Sequence, residues 1–570
     1  MPPAVNHAAS QGAVDTSPSG FVSDGADERQ RLAGRVLADA LLLGVVGDAL
    51  LRVASWGVNL TVWSIGILAA LLTLARRRHE TLPAETRWLA APAIALSLLF
   101  AWRDSASLAA FNALALLATI CLVAMSLAAY SSGSVLTSRV RDVLTGAFRT
   151  GLGTAFGMFA LLFSDVSLRQ VTRARGASQV IAIVRALLIA IPLLMIFGAL
   201  FAAADPVFSR IAADLIRVDP EEIASHLIIT GAIAFLVGGF LRTTLLSNGQ
   251  PGLAVQFPDG ALGLTEVSVA LGSLVLLFAS FVAVQLRYFF GGDALVQVTS
   301  GLSYAEYARR GFFELVTVSA LVLPVLLSAN ALLRRGTPRA DRVYRVLASV
   351  LLVLLAVIMY SAFARMRLYQ SVYGLSVDRL YATVFMSWLA LVFVWFGATV
   401  LRGRGQRFVA GVLFSGWGTL IALNVADPSG LVARSNVARA ATGKELDVSY
   451  LASLGADAAP ALARYLVSQP LTPPADWTVP VDGSPAAPSR TGASAVTSRD
   501  GFTARCYAAR QLLGQWGSDA KQDWRSWTVG RAVARRSVAA HEPALRTVAS
   551  FGPPAAKPAQ CPHPPAAPTG

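Results

Sequence analysis

The sequence predicts an all-α fold: a polytopic transmembrane helical bundle followed by a small C-terminal helical domain outside the membrane. Three observations predict it. Hydrophobic residues make up 55% of the 570 residues and charged residues only 14%. Apolar runs of about 18 to 25 residues, the length that crosses a bilayer, recur along the chain. Beyond residue 425 the composition changes, and the rest of the chain is polar with short amphipathic segments.

The first 30 residues precede the bundle. They are rich in Ala, Ser, Gly and Asp and too polar to form a core, so we expect 1–30 to be a disordered tail. Arg29, Arg31 and Arg35 stand just before the first apolar run. Because cytoplasmic segments beside membrane spans carry an excess of Lys and Arg, these arginines predict a cytoplasmic N-terminus at the cell (plasma) membrane.

Residues 31–425 form the predicted transmembrane domain, with about eleven spans. We expect these spans at 36–54, 57–75, 88–102, 106–129, 180–204, 225–241, 262–286, 311–333, 343–363, 380–401 and 408–425. Arginine clusters fall in alternate loops, at 76–78, 334–345 and 402–407. This pattern places those loops in the cytoplasm and the C-terminal domain outside it.

One further apolar stretch, 146–163, is ambiguous. It contains Gly153 and Gly157, a small-xxx-small spacing that suits close helix packing. Arginines precede it at 139–149 and follow it at 169–175. A crossing would put one of these clusters outside, whereas a segment that lies on the membrane or re-enters keeps both inside. The eleven-span topology adopts the second alternative.

The C-terminal part divides into three. We expect a small helical extracytoplasmic domain over 426–550, a Pro-rich linker near 470–490 inside it, and a disordered tail over 551–570. Asp447 and Asp457 precede short amphipathic segments and are predicted as helix N-caps. A second pair of helices is expected at 499–516 and 522–541.

Charged residues at the outer ends of the spans give the candidate binding site. Asp48 lies inside the first span, where an unpaired charge costs about 2.5–3.5 kcal/mol, and Arg52 one turn later is its expected partner. Outer arginines run against the topological bias, so we predict a polar cluster that holds them. It is either a set of inter-loop salt bridges or a pocket for an anionic headgroup or small anion. Its predicted members are Asp48, Asp205, Glu306, Arg309, Arg310, Glu314, Arg367, Tyr369, Tyr373 and Arg379.

Other site chemistry is not expected. The five histidines never stand at i, i+4, and no phosphate-binding loop is present, so we predict no catalytic residue, no metal and no cofactor. The net charge of +15 is carried mostly by Arg, which in a membrane protein reflects topology. We therefore expect the lipid bilayer as the partner and do not expect nucleic acid. Protein partners stay unidentified. In an oxidising compartment Cys506 and Cys561 would form a disulfide; otherwise Cys561 stays free.

Several short motifs carry a family resemblance. They are Ala204–Phe208, Gly301–Glu314, Arg367–Tyr381, Asp447–Leu451 and Asp523–Trp527. With these motifs the chain resembles a bacterial family of polytopic membrane proteins known only as a domain of unknown function. The resemblance implies an integral membrane protein and supplies no activity, substrate or catalytic residue.

Two functional classes therefore stay open. The first is a non-enzymatic envelope sensor, scaffold or assembly factor, and the alternative is a transporter of a small anionic or lipid-like substrate. A membrane-embedded transferase acting on lipid-linked substrates is a more distant third. Transporters are often built from internal repeats with broken helices in matching places, and the sequence shows none convincingly. We therefore favour the first class and do not expect an enzyme.

Overall fold

The computed structural model describes residues 19–52, 55–78, 81–127, 134–165, 220–247, 261–290, 312–334, 337–470 and 493–551, with isolated positions between 186 and 205. Over these residues the chain is all-α. The bundle helices are α1 Ser19–Leu51, α2 Val58–Arg78, α3 Ala84–Leu99, α4 Ala106–Leu127, α5 Val140–Ala160, α6 Pro220–Leu245, α7 Leu264–Phe290, α8 Phe312–Leu332, α9 Pro338–Tyr373, α10 Val377–Thr399 and α11 Phe408–Ala426. The C-terminal domain follows with α12 Pro428–Ala440, α13 Val448–Ser453, α14 Ala459–Ser468, α15 Ala493–Trp516 and α16 Val529–Ser550.

The helices have the length and surface of membrane spans. Within the described residues, nine segments are long and apolar enough to cross a bilayer. Large apolar side chains cover their outer surfaces, among them Leu114 at 65%, Leu276 at 72% and Val394 at 70% exposure. Side chains of this kind are stable when lipid covers them. The chain is therefore a multi-pass membrane protein, as the sequence predicts.

Contacts between helix termini define two ends of the bundle. The docking end is the one that meets the C-terminal domain; there Arg525 donates to the carbonyl of Ala49 at the end of α1, and Val58 at the start of α2 donates to Trp527. The free end lies opposite, where Arg78 at the end of α2 donates to the carbonyl of Leu245 at the end of α6. The first residues of α1 and the C-terminal domain thus lie at opposite ends.

The ambiguous stretch forms α5, which a π-helical turn extends through Leu161–Asp165. Just before α5, main-chain N–H groups of the turn Val135–Thr137 donate to Glu85 at the start of α3. At its other end Asp165 pairs with Arg29 at 2.9 Å and with Arg242 at 2.7 Å. Both termini therefore lie towards the free end, although α5 is long enough to cross by length and composition. This is the arrangement of a helix that lies on the membrane or re-enters.

Small residues allow α5 to pack closely on α6, as their spacing predicts. A Cβ on Gly157 would lie 2.7 Å from the carbonyl oxygen of Gly239. A Cβ on Gly239 would lie 2.1 Å from the carbonyl oxygen of Thr154. Only glycine permits this approach of the two backbones.

The buried side chains form two apolar cores in the bundle. The first joins α1 to α6 around Leu71, Leu89 and Leu241, and the second joins α7 to α10 around Leu351 and Phe396. Helix α11 contributes to both, because Trp417 packs in the first core and Phe408 in the second.

Two polar contacts fix α11 against α4. Trp417 donates its indole N–H to Thr119 Oγ1 over 3.0 Å. Asn112 and Asn424, both fully buried, exchange amide hydrogen bonds of 3.2 and 3.1 Å. Each amide supplies a hydrogen-bond partner to the other, which matters because no water is available to replace it in the membrane.

The C-terminal helices form a third core. Leu451, Leu462, Leu512, Val538 and Leu545 are buried at its centre. Helices α15 and α16 fall where a helical pair is predicted, but α16 begins later than expected because Trp524–Ser526 forms a separate 3₁₀ turn.

Two boundaries bear on the predicted domains. Helix α1 begins at Ser19, inside the stretch expected to be a disordered tail. The span predicted at 180–204 lies outside the described residues apart from isolated positions.

Candidate functional site

The C-terminal domain is joined to the bundle through main-chain hydrogen bonds at helix ends. Val529 and Gly530, at the start of α16, donate their N–H groups to the carbonyls of Ala101 and Trp102 over 2.8 and 3.1 Å. Thr528 caps the same helix by accepting from Arg531. A helix start leaves N–H groups unpaired, and a helix end leaves carbonyls unpaired. Here the start of α16 and the turn that ends α3 satisfy each other.

A second attachment uses the 3₁₀ turn before α16. Arg525 is held by Asp523 at 2.7 Å and donates to the carbonyl of Ala49 over 2.8 Å. The carbonyl of Trp527 accepts from Val58 over 3.0 Å. Gly57 beside it leaves no space, since a Cβ there would lie 2.7 Å from the Trp527 oxygen. The turn is thereby fitted between the end of α1 and the start of α2.

Arg103, in the loop between α3 and α4, is the centre of a charged network at this junction. Its Nε donates to the carbonyl of Asn424 over 2.8 Å, and its Nη2 donates to that of Val425 over 3.3 Å. A cation at the last carbonyls of a helix is favoured by the helix dipole. Its Nη1 lies 3.7 Å from both Asp427 Oδ2 and Asp457 Oδ1. Arg103 therefore links the end of α11 to two acidic side chains.

Asp427 forms the corner between α11 and α12. Its backbone is left-handed, with φ of 57°, a conformation that Asp tolerates better than most side chains. Its Oδ1 accepts from the N–H of Gly430 over 3.0 Å and so caps α12. Its Oδ2 pairs with Arg434 at 3.2 Å. One carboxylate thus sets both the turn of the chain and part of the charged network.

Asp457 was expected to cap α14, and that prediction is wrong. The N-cap of α14 is Ala458, and the Asp457 Oδ2 instead accepts from the main-chain N–H of Asp104 over 2.9 Å. Asp104 in turn pairs with Arg531 at 2.7 Å. Burial, reinforced by the neighbouring Asp427, raises the pKa of Asp457 to about 6. The Asp457 carboxylate binds the loop between α3 and α4 instead of its own helix. A local sequence pattern cannot show this contact, because the loop is distant in sequence.

A small cavity lies against this network. Its volume is about 140 Å³, and it opens between the bundle loop and the domain. The residues that line it are Arg103, Asp427, Arg434, Asp457, Pro460, Ala461, Arg464, Gly530 and Val533. It therefore combines acidic and basic side chains from both parts of the chain.

Tryptophans surround the junction. Trp56, Trp102 and Trp527 are 44–46% exposed and Trp524 is 67% exposed. Tryptophan is enriched at the level of lipid headgroups, where its ring is partly apolar and its N–H is polar. Their position fits a domain that rests close to the membrane surface.

The predicted pair of Asp48 and Arg52 is present, and a third residue joins it. Asp48 is buried and accepts from Arg52 over 2.8 Å, and the Nδ1 of His226 lies within hydrogen-bond distance of its other oxygen. Arg52 also donates to Ser225 over 3.0 Å. Sequence reasoning set His226 aside because it has no histidine neighbour at helical spacing. Asp48 and Arg52 lie at the end of α1, and His226 lies in the first turns of α6, so the group is at the docking end.

Three of the other predicted residues also come together. The Arg379 guanidinium stacks 4.1 Å from the ring centre of Tyr369, and the Tyr369 and Tyr373 rings are 5.1 Å apart. Arg379 donates to the carbonyl of Gly374 over 2.6 Å. Leu375 in the same loop exchanges main-chain hydrogen bonds with the amide of Asn436 in α12. This group fastens the α9–α10 loop to the C-terminal domain.

The other described members of the predicted cluster are exposed side chains. Glu314 and Arg367 lie near the docking ends of α8 and α9, and Asp205 precedes residues that the structure does not describe. Glu306, Arg309 and Arg310 lie outside the described residues. Cys506 is buried, and Cys561 lies outside the described residues, so their disulfide stays a prediction.

Sequence reasoning missed the centre of the junction. Arg103 and Asp104 directly follow the span predicted at 88–102, at the end that the predicted topology places outside. An arginine on that side is unusual, so both residues could have been added to the predicted cluster. No local signal marks Asp427 and Asp457 as their partners, because the contacts span more than three hundred residues.

Comparison with known proteins adds the family. The profile described as Domain of unknown function (DUF4153) matches residues 90–465, more than half of the chain. The chain belongs to this family. The DUF4153 match covers most of the bundle and the first part of the domain, ending within α14, so it includes Arg103, Asp427 and Asp457 but not α15 or α16. No curated protein and no solved structure gives a significant match.

Proposed function

We propose that this DUF4153 protein is a non-enzymatic envelope sensor, scaffold or assembly factor whose bundle holds the C-terminal domain at the outer face of the cell membrane. The junction carries this proposal. Main-chain hydrogen bonds and charged side chains attach the domain to the ends of α1, α2, α3 and α11. A fixed attachment suits a protein that presents a surface or transmits a change across the membrane.

Arginine distribution supports the orientation. The free end carries Arg76–Arg78, Arg334 with the arginines in the first turns of α9, and the loop 402–407. Because such clusters are retained in the cytoplasm, we infer that the free end and the N-terminus are cytoplasmic. The domain at the docking end is then extracytoplasmic.

Transport has one supporting observation, the buried Asp48 with His226. Charged residues in a membrane often mark an ion or proton path. In the described part of the spans, however, the buried carboxylates of Asp48 and Asp165 each pair with arginine, and they lie close to the docking end and the free end respectively. These residues give little support to a polar path from one end to the other, so transport is the weaker proposal.

Cysteine labelling tests the orientation. Lys444 in the domain and Arg404 at the free end are both exposed, so each is replaced by Cys in a chain whose own cysteines are Ser. A maleimide that cannot cross membranes should label Lys444→Cys in intact cells and Arg404→Cys only after lysis. The opposite pattern would refute the proposed orientation. Labelling of both variants in intact cells would refute the conclusion that the two positions lie on opposite sides of the membrane.

A phenotype test addresses the role of the attachment. Gly530→Ala is designed to undock the domain, and Gly514→Ala is its control because a Cβ there meets nothing within 4 Å. An undocked chain that still inserts should behave like a deletion strain under envelope stress. If it behaves like the wild type, the attachment is not the functional feature.

A further inference from the structure

The cavity at the junction has the dimensions of a site for a small molecule. Its volume of about 140 Å³ is several times the roughly 30 Å³ that a water molecule occupies in the liquid. Pockets for drug-sized ligands are larger, at about 300–1,000 Å³. The cavity therefore suits a compact molecule with few heavy atoms.

The inner wall contains an acceptor without a donor. The Asp457 side chain is 2% exposed, and its Oδ1 has no hydrogen-bond partner among the described residues. The nearest cation, Arg103 Nη1, is 3.7 Å away, beyond hydrogen-bond distance. Buried polar atoms almost always have a partner. A ligand group that donates a proton would complete this one.

A metal ion does not fit the same place. Arg103 Nη1 lies 3.7 Å from both Asp457 and Asp427 and so occupies the position between the two carboxylates. Arg434 and Arg464 also line the cavity, so basic side chains outnumber acidic ones. Guanidinium groups match the geometry of a carboxylate. The outer wall therefore favours an anionic group, while the inner wall requires a donor.

We propose that the cavity binds a small α-amino or α-hydroxy carboxylic acid. Its carboxylate faces Arg434 and Arg464, and its amino or hydroxyl group donates to Asp457 Oδ1. Because Arg103 belongs to the bundle and Asp457 and Arg464 belong to the domain, the bound acid links the two and strengthens their contact. That consequence deepens the sensor form of the proposed function; the binding itself is independent of membrane orientation.

Calorimetric titration of the purified full-length protein in detergent tests this site. The probes are alanine, lactate and propionate; propionate has the same carboxylate and similar size but lacks the donor. Alanine or lactate should bind saturably, and propionate should bind at least about tenfold more weakly, which is about 1.4 kcal/mol.

Matched variants locate the binding. Arg434→Gln and Asp457→Asn should each weaken it at least about tenfold, whereas Arg546→Gln, whose arginine pairs with Glu542 near the far end of α16, should leave it unchanged. Monodisperse elution shows that each variant is folded. Three results would each overturn the proposal: no saturable binding of any probe, equal binding of propionate, or binding that Arg434→Gln and Asp457→Asn leave intact. The labelling experiment on orientation can fail independently of all three.

Discussion

The carboxyl group of Asp457 should make this protein less stable as the pH rises. Its pKa is raised from 3.8 to about 6, mainly because burial disfavours its charged form and secondly because Asp427 is near. The folded chain therefore holds this proton after the unfolded chain has released it. Asp457→Asn removes the titration and keeps an oxygen that can accept from the Asp104 N–H.

The size of the effect follows from the shift. One pKa unit corresponds to about 1.36 kcal/mol, so a shift of about two units gives about 3 kcal/mol. The sign follows from proton binding: between about pH 4 and pH 6 the folded state binds more protons than the unfolded state, so the free energy of unfolding falls as the pH rises. The stability is fully present below the unfolded pKa and is lost once the pH exceeds about 6.

Thermal unfolding in detergent measures this effect. Melting temperatures of the wild type and Asp457→Asn are compared from about pH 4.5 to pH 7.5, and their difference cancels the titration of other groups. The melting temperature of the variant should increase relative to that of the wild type as the pH rises, and the variant should be the more stable protein at neutral pH. A wild type that becomes more stable across this range relative to the variant would refute the reasoning, and would mean that Arg103 outweighs burial.

Three further predictions concern packing. Gly530→Ala should release the C-terminal domain, because its Cβ would lie 2.3 Å from Asp457 Oδ1 and 3.3 Å from the Asp104 nitrogen and would disturb the hydrogen bond by which Asp104 of the bundle holds Asp457; limited proteolysis should show faster cleavage than in Gly514→Ala. Asn112→Ala should cost about 1–3 kcal/mol in melting experiments because Asn424 Oδ1 loses the Asn112 donor, and replacing both with Leu should restore part of it. Gly239→Val should separate α5 from α6 and lower the yield of folded protein, whereas Gly272→Val, with nothing within 4 Å, should have little effect.

Much of the fold could be predicted because span length and charge distribution act locally. Apolar runs give the spans, and arginine clusters give alternate loops, which is why the helices at 57–75 and 408–425 were expected within a few residues of α2 and α11. The Gly153 and Gly157 spacing likewise predicts the close packing of α5. Each of these signals is contained in one segment of the chain.

The junction could not be predicted, for the opposite reason. Asp447 caps α13 by accepting from Tyr450 over 2.8 Å, as its position before the helix predicts. Asp457 stands in a similar position, yet it binds a loop from the first part of the chain. The difference lies in what packs against each acid after folding. A pattern that reads neighbours in sequence cannot separate an N-cap from a tertiary contact.

The arginines at the docking end explain how this end is built. In the proposed orientation they lie outside the membrane, against the usual bias, so each one should have a structural use. Arg52 holds Asp48 and Ser225, Arg103 holds the last carbonyls of α11, and Arg379 holds the carbonyl of Gly374. A charge-assisted hydrogen bond to a helix end is stronger than a neutral one, and it fixes that end in position. Because these guanidinium groups are already engaged in fixing helix ends and loops, they are poorly suited to carry a substrate past them. The cavity beside Asp457 combines open space with a buried carboxylate oxygen that lacks a hydrogen-bond partner among the described residues, so a ligand that changes this protein is expected to act there.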